Sequence, residues 1–142
     1  MSKTHILVIE DNPADVDLLQ RALRSVDLEC ELTVIDDGAE ALALARQSRD
    51  ANSPPLDLAI IDLNLPKHGG LEVLEEMRKN RSFAELPVLI LTSSSSPRER
   101  ATMEKFRVGR FVTKPPDLEQ FLRIGQVIKE LLAESRSLPG KG

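Results

Sequence analysis

Several short apolar runs in this chain stop abruptly at residues that can hold charge or donate hydrogen bonds. Ile6-Leu7-Val8-Ile9 stops at Glu10-Asp11, Leu56 to Ile61 stops at Asp62, Pro87 to Leu91 stops at Thr92-Ser93, and Arg110 to Thr113 stops at Lys114-Pro115. Another, Leu32 to Ile35, stops at Asp36-Asp37, which read better as helix-capping residues. Any one of these positions is explained by a strand running out into a polar loop. Three carboxylates, a hydroxyl and a lysine brought to one edge are a different matter, because together they can hold a cation and an anionic oxygen. Two unit charges roughly 4 Å apart at an effective dielectric near 20 repel by about 4 kcal/mol, so gathered carboxylates call for a cation. A small set of hard oxygen ligands, with room for water and a phosphate oxygen, suits Mg²⁺ better than a transition metal.

The elements that must position these residues follow from patterning. Runs apolar at consecutive positions predict strands buried on both faces, as in a parallel sheet. The segments between them carry helix signals. Asn12-Pro13 offers an N-cap and a proline at the first helical position, and Val16, Leu19, Leu23 and Val26 then recur at helical spacing. Asp37 with Glu40 and Ser96-Pro97 with Glu99 make capping-box patterns. A further helix is expected from about Gly70 to Asn80. The last is expected from about Pro116 to Glu134, with Phe121, Ile124, Ile128 and Leu131 on one stripe. Repeated strand–helix alternation predicts an α/β fold: a doubly wound, five-stranded parallel sheet with helices on both faces and right-handed crossovers. Ligands of such sheets bind outside the carboxyl ends of the strands, at the switch point, where Glu10, Asp11, Asp62, Thr92 and Lys114 stand.

The 142 residues suffice for one domain with its own core, over residues 1–134, followed by a flexible tail over 135–142. A formal net charge of −4 gives no general affinity for nucleic acid or anionic membrane. No apolar run approaches a membrane span, and the start of the chain is too short in apolar residues for a signal peptide. Cys30 is the only cysteine, so no disulfide forms within the chain, and the expected location is the cytoplasm.

The pieces ILVIEDNPAD, the strand ending in Asp62 with LNLPKHGG after it, LILTSS and FVTKPP occur in order at spacings that resemble the receiver domains of two-component response regulators. The resemblance spans residues 5–134 and implies the flavodoxin-like fold of that family. It implies that Asp62 is the phosphoacceptor, Asp11 a direct metal ligand and Glu10 the second acidic residue, acting on the metal directly or through water. It further implies a metal contact from the Asn64 backbone carbonyl, Thr92 as switch hydroxyl, Lys114 as phosphate-binding lysine, Phe111 as switch aromatic, and a cis Lys114–Pro115 bond. Two departures stand out: Glu10 where aspartate is commoner, and Gly69 where aspartate often precedes the third helix. Within the family, DNPADVDLLQRAL and TKPPDLEQF are similar to stand-alone receivers paired with bacterial phytochrome kinases, which implies a sensor histidine kinase of that kind as partner.

The chemistry is consistent with the residues. A carboxylate attacking phosphorus brings negative charge onto negative charge, and Mg²⁺ and Lys114 both relieve it. The protein is then no enzyme in the ordinary sense, but assists its own phosphorylation and hydrolysis. A purely binding, degenerate receiver is disfavoured by the intact Asp62, Asp11, Thr92 and Lys114. A flavin protein would need a phosphate loop where the acidic EDNPAD stands, and a carboxylate phosphatase would carry its nucleophile on the first strand. His5 and His68 are expected at the surface, and Arg98, Arg100, Lys105, Arg107 and Arg110 on a solvated face. With no DNA-binding segment after the receiver, signalling is expected through a surface. The apolar last helix and the neighbouring strand suggest a homodimer there.

Overall fold

The computed structural model describes residues 3–49, 52–53, 55–65, 69–93 and 96–137. Five strands, β1 (Thr4–Ile9), β2 (Cys30–Ile35), β3 (Leu58–Ile61), β4 (Val88–Thr92) and β5 (Arg110–Thr113), form one parallel sheet in the order β2-β1-β3-β4-β5. The chain leaves β1 toward β2 on one side and returns to β3 on the other, so the switch point lies between β1 and β3. Ile9 lies opposite Ile61, and Thr92 opposite Thr113. Glu10, Asp62, Thr92 and Lys114 are therefore delivered to one edge.

β1, β3 and β4 are apolar at nearly every position because helices cover both of their faces. Leu7, Ile9, Ala59, Ile61, Val88 and Ile90 pack on α2 (Gly38–Ala45), α3 (Gly70–Lys79) and α4 (Pro97–Glu104). Ile6, Val8, Leu58, Ile60, Leu89 and Leu91 pack on α1 (Pro13–Ser25), α5 (Leu118–Leu122) and α6 (Ile124–Ser137). β2 and β5 are only partly buried, since each is an edge with one neighbour.

The expected caps are present. Asn12 Oδ1 accepts from the Ala14 N–H (3.0 Å), Asp37 Oδ1 from Ala39 (2.7 Å), and Ser96 Oγ from Arg98 (3.2 Å). Gly69 caps α3 with no side-chain bond. Gly70 has a firmer reason to be glycine, because a Cβ there would run into the carbonyl oxygen of Asp62.

Three expectations change. The last helix breaks at Arg123 into α5 and α6, and α5 starts from an Asp117 cap rather than at Pro116. α6 runs to Ser137, into the segment assigned to the tail, and 138–142 lie outside the described residues. Every peptide bond among the described residues is trans, Lys114–Pro115 included. An X–Pro bond prefers trans by only about 0.5–1 kcal/mol, so local packing selects the isomer. The expected stripe is present: Phe121, Ile124, Ile128 and Leu131 are core residues, as is Leu132, while Leu118 is 49% exposed.

Candidate active site

Lys114 leaves the end of β5 held by a backbone bond, its N–H donating to the Thr92 carbonyl at 2.7 Å. Its side chain crosses the sheet edge, and Nζ donates to Glu10 Oε1 (2.7 Å), Asp15 Oδ2 (2.7 Å) and Asp62 Oδ2 (2.9 Å). Glu10 and Asp62 are only 3% and 4% exposed. The other oxygen of Asp62 accepts the Asn64 N–H at 2.9 Å, and Glu10 Oε2 accepts the Asn12 N–H at 3.2 Å. Buried carboxylates this close together persist because each is hydrogen-bonded and shares one ammonium.

Burial pushes the Glu10 carboxyl up; the Lys114 hydrogen bond opposes this, the neighbouring Asp62 carboxylate adds to it, and the outcome is about 7. Burial also acts to raise Asp62, but the Asn64 N–H, Lys114 and Glu10 more than offset it and hold that carboxyl below the ordinary range. For Lys114 burial works downward, while the hydrogen bonds it donates to Asp15, Glu10 and Asp62 carry it above the usual lysine value. At neutral pH Asp62 is thus an ionised carboxylate facing a permanent ammonium.

Glu10, Asp11 and Asp62 each bring one carboxylate oxygen within 4.8 Å of the others. Asp11 is exposed and the other two are buried, so the group opens to solvent on one side. An all-oxygen, anionic donor set with an open side fits a hard divalent cation that keeps part of its water.

Thr92 is fully buried at the end of β4, and its hydroxyl accepts from Asn64 Nδ2 at 3.0 Å. The same amide reaches Ser93 Oγ at 3.3 Å. Phe111 lies on β5, half-buried, with the Arg100 guanidinium of α4 stacked over its ring at 4.9 Å. Arg100 and Arg110, which pairs with Glu134 at 2.9 Å, are therefore engaged rather than merely solvated. His5 is partly buried within β1, and His68 lies outside the described residues.

The structure brings together Glu10, Asp11, Asp62, Asn64, Thr92 and Lys114, and leaves Phe111 on the β5–α4 side. Sequence reasoning missed Asp15, and it gave Asn64 a backbone role only. The signal for Asp15 was faint: an acid in the first turn of a helix is already accounted for by the helix dipole.

A family model described as the response regulator receiver domain matches residues 6–125. Response regulator Rcp1 of Synechocystis sp. is 35% identical over 135 residues, 94% of this chain and 92% of that protein. The crystal structure of the phosphorylated cyanobacterial phytochrome response regulator RcpA superposes with a TM-score of 0.83 at 34% identity, covering 98% of this chain and all of the other. The Mn(2+)-bound form of Rcp1 gives 0.80 at 34% identity, covering 96% and 99% of the two chains. The bacteriophytochrome response regulator AtBRR gives 0.69 at 33% identity over 92% and 94%.

Proposed function

The chain belongs to the response regulator receiver domain family, and from that premise we propose that Asp62 accepts a phosphoryl group from the histidine of a sensor kinase. The observation that carries this reading is the meeting of Glu10, Asp11, Asp62 and Lys114 at one open edge, with Asp62 ionised. An Asp62 oxygen forms the new bond to phosphorus as the bond from phosphorus to the kinase imidazole nitrogen breaks, and that electron pair stays on the imidazole. Lys114 meets the charge spreading over the phosphoryl oxygens. Mg²⁺, held by Glu10, Asp11, Asp62 and the Asn64 backbone carbonyl, would supply positive charge against the approaching anion. Water in the same site later hydrolyses the acyl phosphate and restores the carboxylate.

Read-out follows from the contacts of Thr92. Its hydroxyl turns from Asn64 toward the phosphoryl oxygens, and the space it leaves admits the ring of Phe111. A hydrogen bond to a charged acceptor is worth about 1.5–3 kcal/mol, and about 5.5 kcal/mol moves a two-state element from 1:99 to 99:1. Thr92 and Lys114 acting together reach that scale. The partner kinase is a phytochrome-type histidine kinase, a reading supported by the similarity to the phytochrome response regulators RcpA and AtBRR. A receiver that takes its phosphoryl group from a sensor kinase is proposed to work in the cytoplasm. Among the described residues no helix is long and apolar enough to cross a bilayer.

Incubation of the full chain with acetyl phosphate and Mg²⁺ tests the acceptor. Intact mass should rise by one phosphoryl group in the wild type and not at all in Asp62→Asn. An Asp62→Asn protein that still gains the group would overturn the assignment.

A further inference from the structure

Asp15 has no part in the roles above, yet it takes one of the three bonds of Lys114. It stands in the first turn of α1 with a largely buried side chain, and its Oδ2 lies 2.7 Å from Nζ, as near as Glu10 and nearer than Asp62 at 2.9 Å. An ammonium has three N–H donors, and the three carboxylates accept one each. Glu10 and Asp62 also belong to the oxygen group that can share a cation, whereas Asp15 does not. Cation binding and esterification of Asp62 therefore draw on two of the lysine's partners and leave the third untouched.

We propose that Asp15 is a positioning residue that tethers the Lys114 ammonium over Asp62 and keeps it there while phosphorus is transferred. The two ends of this contact differ in stiffness. Asp15 rides on a helix start fixed by the Asn12 cap and Pro13, and by Leu19 and Leu23 in the core. Lys114 is a point charge on a flexible four-carbon stem, which loses conformational freedom wherever it is held. When acetyl phosphate is the donor, an Asp62 oxygen bonds to phosphorus, the bond to the acetyl oxygen breaks, and acetate departs with the electron pair. Asp62 thereby loses its own charge, and the N–H that faced it turns to the phosphoryl oxygens. Asp15 keeps the ammonium over the transferred group at that moment.

The inference rests on Asp62 being the acceptor, so the experiment separates the two claims. Phosphorylation of the full chain by acetyl phosphate in Mg²⁺ is followed against donor concentration for wild type, Asp15→Asn and Asp15→Glu. Loss of one charge-assisted hydrogen bond predicts a maximal rate roughly tenfold lower in Asp15→Asn. Magnesium affinity by calorimetry should be unchanged, and Asp15→Glu should recover most of the rate. In a Lys114→Ala background, Asp15→Asn should cost nothing more. Independently of any donor, labelling of Lys114 by an amine-reactive ester, read by peptide mass, should accelerate in Asp15→Asn. An unaltered rate with unaltered labelling overturns the tether, and so does a full additional loss in the Lys114→Ala background. If the wild type gains no phosphoryl group on Asp62, the acceptor reading fails, and the labelling result alone decides whether Asp15 holds the lysine.

Discussion

Glu10 is the residue through which this site feels pH most strongly near neutrality. Its carboxyl is pushed from an ordinary 4.5 to about 7, burial being the largest cause, so the folded protein holds that proton more tightly than the unfolded chain. The stability this adds is complete below pH 4.5 and is lost as pH rises through 7. Asp62, held low, works the other way, with a contribution lost only as pH falls below the ordinary aspartate value of 3.8. Lys114, held high, changes nothing until pH exceeds the ordinary lysine value of 10.5. Metal-free protein should therefore lose on the order of 2–3 kcal/mol between pH 4.5 and 7 relative to Glu10→Gln. Groups that do not touch Glu10 are common to both proteins and cancel in the difference, whereas Asp62, which Glu10 helps to hold low, shifts upward in Glu10→Gln. Calorimetric melts in chelator would measure it, and parallel profiles for the two proteins would refute the account. At this scale the strand-end carboxylates, Thr92 and Lys114 were legible because apolar runs stop at them. Asp15 and the Asn64 amide were not, since which way a first-turn acid or a loop amide points depends on how α1 and β4 pack beside β3.

The elements carry their own signals, and the clearest unused one lies at the end of α1. The Leu28 N–H bonds to the Leu23 carbonyl at 3.0 Å, and the Asp27 N–H to Arg24 at 3.1 Å, which together form a Schellman closure. Asp27 occupies its left-handed position at φ 56°, where glycine is strain-free and an L side chain costs about 1–2 kcal/mol. Replacing Asp27 by glycine also loosens the unfolded chain, which offsets part of the gain. Asp27→Gly should raise stability by about 0.5–1 kcal/mol and leave phosphorylation unaltered; a lower melting temperature would show that the Asp27 side chain stabilises the turn. Strand identities and caps were readable because apolar runs and Asn-Pro or Ser-Pro steps are local. The break at Arg123 was not, because Ile124 and Ile128 continue the apolar stripe across it. The close seating of α6 on α1 is equally non-local: a Cβ at Gly125 would meet the Ala22 carbonyl. α4 has one buried residue, Met103, so its hold on the sheet is slight, and it is the element whose Arg100 stacks on Phe111.

For the molecule as a whole, the described apolar residues of α6 are largely spent on the core, and Phe111, Leu118 and Leu122 are partly open beside them. On the proposed reading, linkage to a bound cation couples the site to the entire fold. A ligand bound only by the folded state stabilises it by about 2.7 kcal/mol at a hundredfold excess over its dissociation constant. Magnesium at that excess should raise the melting temperature of the wild type by several degrees. Asp11 is the exposed member of the carboxylate group, so Asp11→Ala removes a proposed ligand and a repelling charge without opening a cavity. The variant should melt at or above the temperature of the metal-free wild type and show no further rise with magnesium. The chain has no Trp and no Tyr, so differential scanning calorimetry is the direct measurement. An Asp11→Ala protein that still gains stability from magnesium would place the cation elsewhere on the molecule. One that unfolds more easily in chelator would show that Asp11 supports the loop after β1 rather than burdening it with charge.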